Sequence, residues 1–254
     1  MLARQRQELI LDAVRATGGV RVSELVERLG VSDMTVRRDI DELARRGLVA
    51  RVHGGATAAG SSVEEPGFAA KSGLHTGAKR AIAAAAAALV EPGASVALSA
   101  GTTTHAVASV LLGVPRLTVV TNSLRVAEVL HAAPRDDLTV VLTGGERTPS
   151  DALVGPVTVA ALRGLHVDWL LMGVHGMDAD AGFTTPNLVE AETNRALVAS
   201  ARQVAVVADN SKWGVVGLST IATLDEVDVV VSDAGLAPEA REVLERSCGQ
   251  LVLA

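Results

Sequence analysis

Apolar positions follow two rhythms along the 254-residue chain. In the first 56 residues the spacing is helical. Leu9, Ile10, Ala13 and Val14 share one face of a segment from about Arg4 to Ala16, which Thr17-Gly18-Gly19 stops. Ser23 stands where a cap would start a second, short helix that buries Leu25, Val26 and Leu29 and ends at Gly30. Ser32 or Asp33 caps a third, whose stripe Val36, Ile40, Leu43 follows the i, i+4, i+7 pattern and which Gly47 ends. Leu48 to Gly55 then alternates apolar and polar and predicts a small hairpin.

From residue 77 onward, short aliphatic runs alternate with helical patterns. A helix from about Gly77 to Val90 opens this part, its alanine-rich centre favouring helix and close packing. Strands are predicted at Ser95–Leu98, Leu117–Thr121, Leu138–Thr143, Trp169–Gly173, Val204–Ala208 and Val227–Ser232, with Leu251–Leu253 as one more. Helices fit Thr104–Leu112, Leu124–Ala132, Pro156–Leu165, Leu188–Ala201 and Pro238–Arg246. This order predicts an α/β fold: a mostly parallel, doubly wound sheet with helices on both faces. Residues 57–76 lack periodicity and carry Gly60-Ser61-Ser62 and Glu64-Glu65-Pro66-Gly67, so they read as a linker. The expected division is therefore 1–56, a linker over 57–76, and 77–254.

A short helix, a glycine turn and a longer helix form helix-turn-helix spacing. With Val36, Ile40 and Leu43 turned inward, Met34, Arg38, Asp41 and Arg45 face outward, flanked by Thr35 and Arg37. Thr35, Arg37 and Arg38 occupy the first two turns, the part of a recognition helix that meets base edges. Arginine can grip guanine with two bonds, and threonine can bond a base or a phosphate. The hairpin, as a wing, would bring Arg51 and His53 to the backbone or the minor groove. Ser23 and Ser32, at the two helix starts, complete the candidate DNA-contacting set. The Arg pair alone could be a solvated face beside Asp39, Asp41 and Glu42; the ordered caps, turn, stripe and wing favour DNA. Val22-Ser23-Glu24-Leu25, Leu29-Gly30-Val31-Ser32, Thr35-Val36-Arg37-Arg38-Asp39-Ile40, Leu43, Gly47 and His53-Gly54-Gly55-Ala56 resemble the winged helix of the DeoR family of bacterial transcriptional regulators.

In doubly wound sheets, ligands bind beyond the carboxyl ends of the strands. Every predicted strand tip here is small, polar or charged: Ser99-Ala100-Gly101-Thr102-Thr103-Thr104, Thr121-Asn122-Ser123, Thr143-Gly144-Gly145-Glu146, Gly173-Val174-His175-Gly176-Met177-Asp178 and Ala208-Asp209-Asn210-Ser211-Lys212. Gly101 lets the backbone approach a ligand, and Thr102, Thr103 and Thr104 offer hydroxyls at a helix N-terminus, a cradle suited to phosphate. It is not a Walker loop, since the Gly-Lys-Ser/Thr end is absent. Lys212 is the matching cation, while Asn122, Gly145, Glu146 and Asp178 are candidates for sugar hydroxyls. Helix capping and an ordinary surface lysine are the plainer readings of the threonine run and of Lys212 taken singly.

Charge then separates the two parts. The whole chain is −6, which argues against nucleic acid. But residues 1–56 hold ten Arg and eight acidic side chains, net +2, and the remainder is net −8. The three lysines, Lys71, Lys79 and Lys212, all lie outside the first part. Aromatics are 2%, so a base-stacking platform for single strands is disfavoured. The one cysteine excludes an intramolecular disulfide, and the six histidines show no metal-ligand spacing. No cofactor is implied. No signal peptide is visible, and the longest aliphatic run, Ala81 to Val90, falls short of the roughly 20 residues that span a bilayer. A cytoplasmic, non-membrane protein is expected.

The second part also carries the resemblance. Ala100-Gly101-Thr102-Thr103-Thr104, Thr121-Asn122-Ser123, Gly144-Gly145-Glu146, Gly182-Phe183-Thr184-Thr185-Pro186-Asn187 with Glu190-Ala191-Glu192, and Ala208-Asp209-Asn210-Ser211-Lys212 are similar to the DeoR effector domain. That domain resembles ribose-5-phosphate isomerase, whose Gly-Thr loop and Asp-x-Ser-Lys lysine hold phosphate. The resemblance implies a regulator, usually a repressor, bound to double-stranded operator DNA and released by a phosphorylated sugar or related metabolite. A homo-oligomer, dimer or tetramer, is expected because helix-turn-helix proteins bind paired half-sites. The rival is an isomerase-like enzyme. Its catalytic carboxylate, counted back from Asp209, falls on Asn194 before Arg195, and an amide cannot act as that base. The isomerase's Asp-Gly-Ala-Asp loop reads Gly173-Val174-His175-Gly176 here, although Glu190 or Glu192 could stand in. A sensor rather than an enzyme is expected.

Overall fold

The structure, a computed structural model, describes the chain except residues 1, 18, 46–47, 53 and 59–66. The chain divides into two compact units, Met1–Glu64 and Glu65–Ala254.

The first unit runs α1 (Ala3–Thr17), β1 (Gly19–Arg21), α2 (Val22–Leu29), α3 (Asp33–Arg45), β2 (Val49–Val52) and β3 (Gly55–Ala58). Ile10, Ala13, Val14, Leu25, Val36, Ile40 and Leu43 are closed from solvent and meet in one core, whereas Leu9, expected on the same face as Ile10, is exposed. Gly30 takes the left-handed conformation that ends α2. Ser32 caps α3: its hydroxyl accepts the Thr35 N–H at 3.3 Å and shares a 2.8 Å bond with the Thr35 hydroxyl. Ser23 is not a cap. The residues before α2 are drawn into β1, which pairs with β3, and the Val22 N–H is taken by the Gly54 carbonyl at 2.8 Å. The helix therefore begins straight off the strand, and Ser23 lies inside its first turn, exposed. The wing is a three-stranded antiparallel sheet ordered β1-β3-β2, one strand more than the hairpin predicted.

The second unit opens with α4 (Phe68–Ser72) and α5 (Thr76–Ala87), followed by β4 (Ser95–Leu98), α6 (Thr102–Leu111), β5 (Thr118–Thr121), α7 (Leu124–His131) and β6 (Thr139–Leu142). A ribbon of β7 (Glu146–Arg147) and β8 (Leu153–Val154) leads to α8 (Pro156–Leu162) and β9 (Val167–Met172). Then come β10 (Gly176–Asp178), β11 (Gly182–Thr185), α9 (Leu188–Ser200), β12 (Ala201–Val207), β13 (Ser219–Ala222), β14 (Val229–Ser232), α10 (Pro238–Ser247) and β15 (Gln250–Leu253). The expected linker over 57–76 is thus partly regular: β3 reaches Ala58, and α4 and the start of α5 fill its other end.

Seven parallel strands form the sheet, ordered β15-β14-β12-β9-β4-β5-β6. Side chains alternate between faces, as strand geometry requires. Val96, Leu98, Leu171, Ala205, Val207, Val229 and Val231 pack with α5, α6 and α7; Ala97, Leu170, Met172, Val204, Val206 and Val230 pack with α8, α9 and α10. Both faces are covered, as a near-continuous run of aliphatics in each strand predicts. A second sheet, β10-β11-β13, is antiparallel and places Phe183 in the core beside α9. The strand order grows one way from β4 through β5 to β6 and the other way from β9 through β12 to β15. The topological switch lies between β4 and β9.

Candidate functional site

On α3, Arg38 is exposed and makes no hydrogen bond or ion pair with any other described residue. Arg37 is held by Asp33 one turn back, Nε to Oδ1 at 2.5 Å, and Arg51 on β2 reaches Asp41 on α3 at 2.8 Å. Thr35 is half-buried beside them with its hydroxyl shared with Ser32. The structure therefore gathers Ser32, Thr35, Arg37, Arg38 and Arg51 along α3 and the adjoining strand. Ser23 sits on a different helix, and His53 lies outside the described residues. Asp39, read as part of a solvated face, is instead buried and gripped by Arg6 from α1 at 2.7 Å, which ties α3 to α1.

In the second unit the tips of β4 and β9 are stitched together at the switch. The Gly173 N–H donates to the Ser99 hydroxyl at 3.0 Å, and the Ser99 N–H donates to the Leu171 carbonyl. Gly101, with φ +156°, turns the chain into α6 in a conformation that suits glycine. No side chain caps α6, so the first-turn N–H groups of Thr102, Thr103 and Thr104 point toward the crevice. Thr104 is buried and spends its hydroxyl on the Gly101 carbonyl, while Thr102 is half-buried at the mouth.

Two strands away, about 10 Å across the sheet, the tip of β12 presents Lys212. The loop is held from both ends. Asp209, 1% exposed, accepts the Ser211 N–H at 3.1 Å and the Ser211 hydroxyl. Asp233, after β14, takes the Asn210 N–H at 2.7 Å and its side-chain amide at 2.6 Å. Lys212 is half-buried and has no hydrogen-bond or ion-pair partner among the described residues. Burial lowers its pKa, Asp209 opposes that, and the charge of Lys71 adds to the lowering. Lys79, 7% exposed, is likewise lowered by burial, against the pull of Asp209. Burial pushes the Asp209 carboxyl up, but Lys212, the Ser211 hydroxyl, His75 and Lys79 outweigh it and hold it below the usual range. His175, at the β9 tip, is pushed down to about 4 by burial and by Lys212 and Lys71, so its imidazole is neutral. All three lysines of the chain thus act on one neighbourhood, where the charge of Asp209 opposes the burial of Lys79 and Lys212.

Three of the other candidate tip residues, Asn122, Gly145 and Asp178, also make contacts within the protein. Asn122 is fully buried; its carbonyl oxygen accepts the Ala100 N–H at 3.1 Å and its amide donates to the Leu153 carbonyl at 3.0 Å. It braces the threonine loop from below. Gly145, with φ +126°, lies where a Cβ would meet the Thr158 hydroxyl at 2.0 Å, so packing demands glycine. Glu146 is exposed on β7, after β6, the strand four places from β12. Asp178 accepts the Asp180 and Ala181 N–H groups at 3.0 Å and so closes the β10–β11 turn. Asp209, Asp233 and Lys79 were not nominated from sequence. An acid at the end of an aliphatic run was the available signal for the first two. Among the described residues, no group of three or more His, Cys, Asp or Glu is arranged to hold a metal ion, and no helix is long and apolar enough to cross a membrane.

Residues 6–62 match the DeoR-like helix-turn-helix domain and residues 74–234 the DeoR C terminal sensor domain. The chain belongs to the DeoR family of transcriptional regulators. It is 34% identical to the glycerol-3-phosphate regulon repressor of Escherichia coli, over 94% of this chain and 94% of that one. It is 37% identical to the HTH-type transcriptional regulator GlpR of Haloferax volcanii, over 96% and 95%. Among solved structures, ribose 5-phosphate isomerase A from Neisseria gonorrhoeae aligns with 55% of this chain and 54% of that one, at 17% identity and a TM-score of 0.38. In this DeoR-family chain, Asn194 is buried on α9 and Arg195 donates to the Thr220 carbonyl at 2.6 Å. Glu190 is buried and receives the Thr185 hydroxyl at 3.5 Å, whereas Glu192 is exposed.

Proposed function

We propose that this chain is a repressor whose first unit binds operator DNA and whose second unit senses a phosphorylated sugar or related metabolite, without catalysing a reaction. The protein works as a homo-oligomer in the cytoplasm, pairing two recognition helices on two half-sites. Thr35, Arg37 and Arg38 meet base edges and phosphates, with Arg51 on the wing strand beside them. The effector's phosphate sits on the first-turn N–H groups of α6 and beside Lys212. Binding there shifts the population toward arrangements that do not hold DNA.

One observation carries the reading: a half-buried lysine without a partner among the described residues, two strands from an uncapped helix N-terminus. A desolvated cation of this kind gains most from an anionic ligand. Glycerol 3-phosphate belongs in the test panel because a relative is named for that regulon. The test is a thermal-shift screen with phosphorylated sugars and polyols. A true effector at 100 times its Kd adds about 2.7 kcal/mol to stability, and the unphosphorylated sugar adds nothing. A panel in which no phosphorylated compound raises Tm overturns the sensor reading. Turnover of pentose phosphates by the purified protein overturns the non-enzymatic one.

A further inference from the structure

The helix α4 is only five residues long, too short to be stable by itself. Its fastenings are therefore informative, and they come from α6, α7 and α5. At its start, the Phe68 ring meets the His105 ring edge-on with centroids 5.4 Å apart, and the Arg125 guanidinium covers the same ring at 5.6 Å. His105 directly follows Thr104 on α6, one residue past the threonine cradle. Beyond its end, Lys79 donates to the Lys71 and Leu74 carbonyls, each at 2.7 Å. The buried Lys79 ammonium thus caps the end of α4, and the charge of Asp209, which orders the Lys212 loop, acts on it. The charge of Lys71, on α4 itself, acts on both Lys212 and His175. By chain order, α4 is the first element after β3 and residues 59–66.

We infer that α4 is the element through which occupancy of the crevice is passed toward the DNA-binding unit, being fastened to the start of α6 by Phe68 against His105 and to α5 by Lys79. This rests on the crevice being the effector site. An anion drawn between Thr102 and Lys212 fixes the start of α6, and α4 becomes ordered with it through the Phe68–His105 contact. With no anion bound, the start of α6 is less constrained, and α4 is correspondingly looser. The coupling needs no motion of the sheet. It needs only that the local opening of α4 cost more when the anion is bound.

Amide hydrogen exchange on the full chain, with and without inorganic phosphate, tests this. At ten times the half-saturating phosphate concentration, exchange is expected to slow about tenfold at residues 102–105 and also at 68–74 in the wild type. In Phe68→Ala, and in His105→Ala from the other side of the same contact, the slowing at 102–105 stays and that at 68–74 is lost. Lys212→Ala loses both. Slowing at 102–105 alone in the wild type overturns the inference and leaves the site standing. Slowing at neither segment overturns the site and the inference together. Slowing at 68–74 that survives in both ring variants also overturns the inference.

Discussion

The two units handle positive charge in opposite ways. In the DNA-binding unit the cations are arginines, three of them exposed and paired one helical turn away: Arg37 with Asp33, Arg45 with Glu42, Arg4 with Glu8. In the sensor unit the three lysines, two from 71–79 and one from the β12 tip, act on one another and on Asp209 and His175. Exposed pairs are worth about 0–1 kcal/mol each, so a DNA phosphate can replace the carboxylate at little cost. Lys212, half-buried and with no hydrogen bond or ion pair among the described residues, has more to gain from an anion. One unit is built to exchange partners along a polyanion, the other to wait for a single small anion.

Several substitutions separate the two behaviours. The largest effect is expected for Leu43→Ala, which empties the fully buried centre of the first unit and costs about 2–5 kcal/mol. Operator binding falls below detection while the Tm rise with a phosphorylated sugar persists. Loss of both would show that the units do not act separately. Arg38→Ala comes next: it weakens operator binding by about 1–3 kcal/mol and lowers the salt slope by about one, with sugar-phosphate binding unchanged. Wild-type affinity in a gel shift would remove α3 as the reading helix.

The smallest effect concerns pH. His175 is held near 4 in the folded chain, below the ordinary value of about 6.5 that it regains on unfolding. Its contribution to stability is therefore complete above about pH 6.5 and is lost as the pH falls toward 4. Asp209, also held below its ordinary range, adds a loss in the same direction at lower pH. Calorimetry from pH 7 to 5 should show a falling Tm, and His175→Gln should flatten the fall. An equal fall in the variant would mean that His175 is not a buried neutral group.

Much of the architecture is legible in the chain because long elements repeat their pattern. The stripe Val36, Ile40, Leu43 and the aliphatic strands ending at Leu98, Thr121 and Val207 each cover enough residues to show a period. The small sheet β10-β11-β13 is not legible, since three- and four-residue strands rich in glycine and threonine have no pattern to show. Helix α4 escapes for another reason: it is secured by His105 and Lys79 rather than by its own sequence. At the site, Lys212 was visible because lysine is scarce. Asn122, Gly145 and Asp178 sit where ligand-binding residues would sit, but polarity at a strand tip does not say whether its partner is a ligand or the backbone. For Asn122 and Asp178 it is the backbone. Asp209 and Asp233 reveal their role only once the β12 and β14 tips are seen side by side.

The central claim is that Lys212 reads the effector's phosphate without taking part in DNA binding. The direct measurement is operator affinity of Lys212→Ala by fluorescence anisotropy, with and without the phosphorylated compound that most raises the wild-type Tm. The account predicts unchanged affinity without the compound and no release with it. Release as full as in the wild type would contradict it.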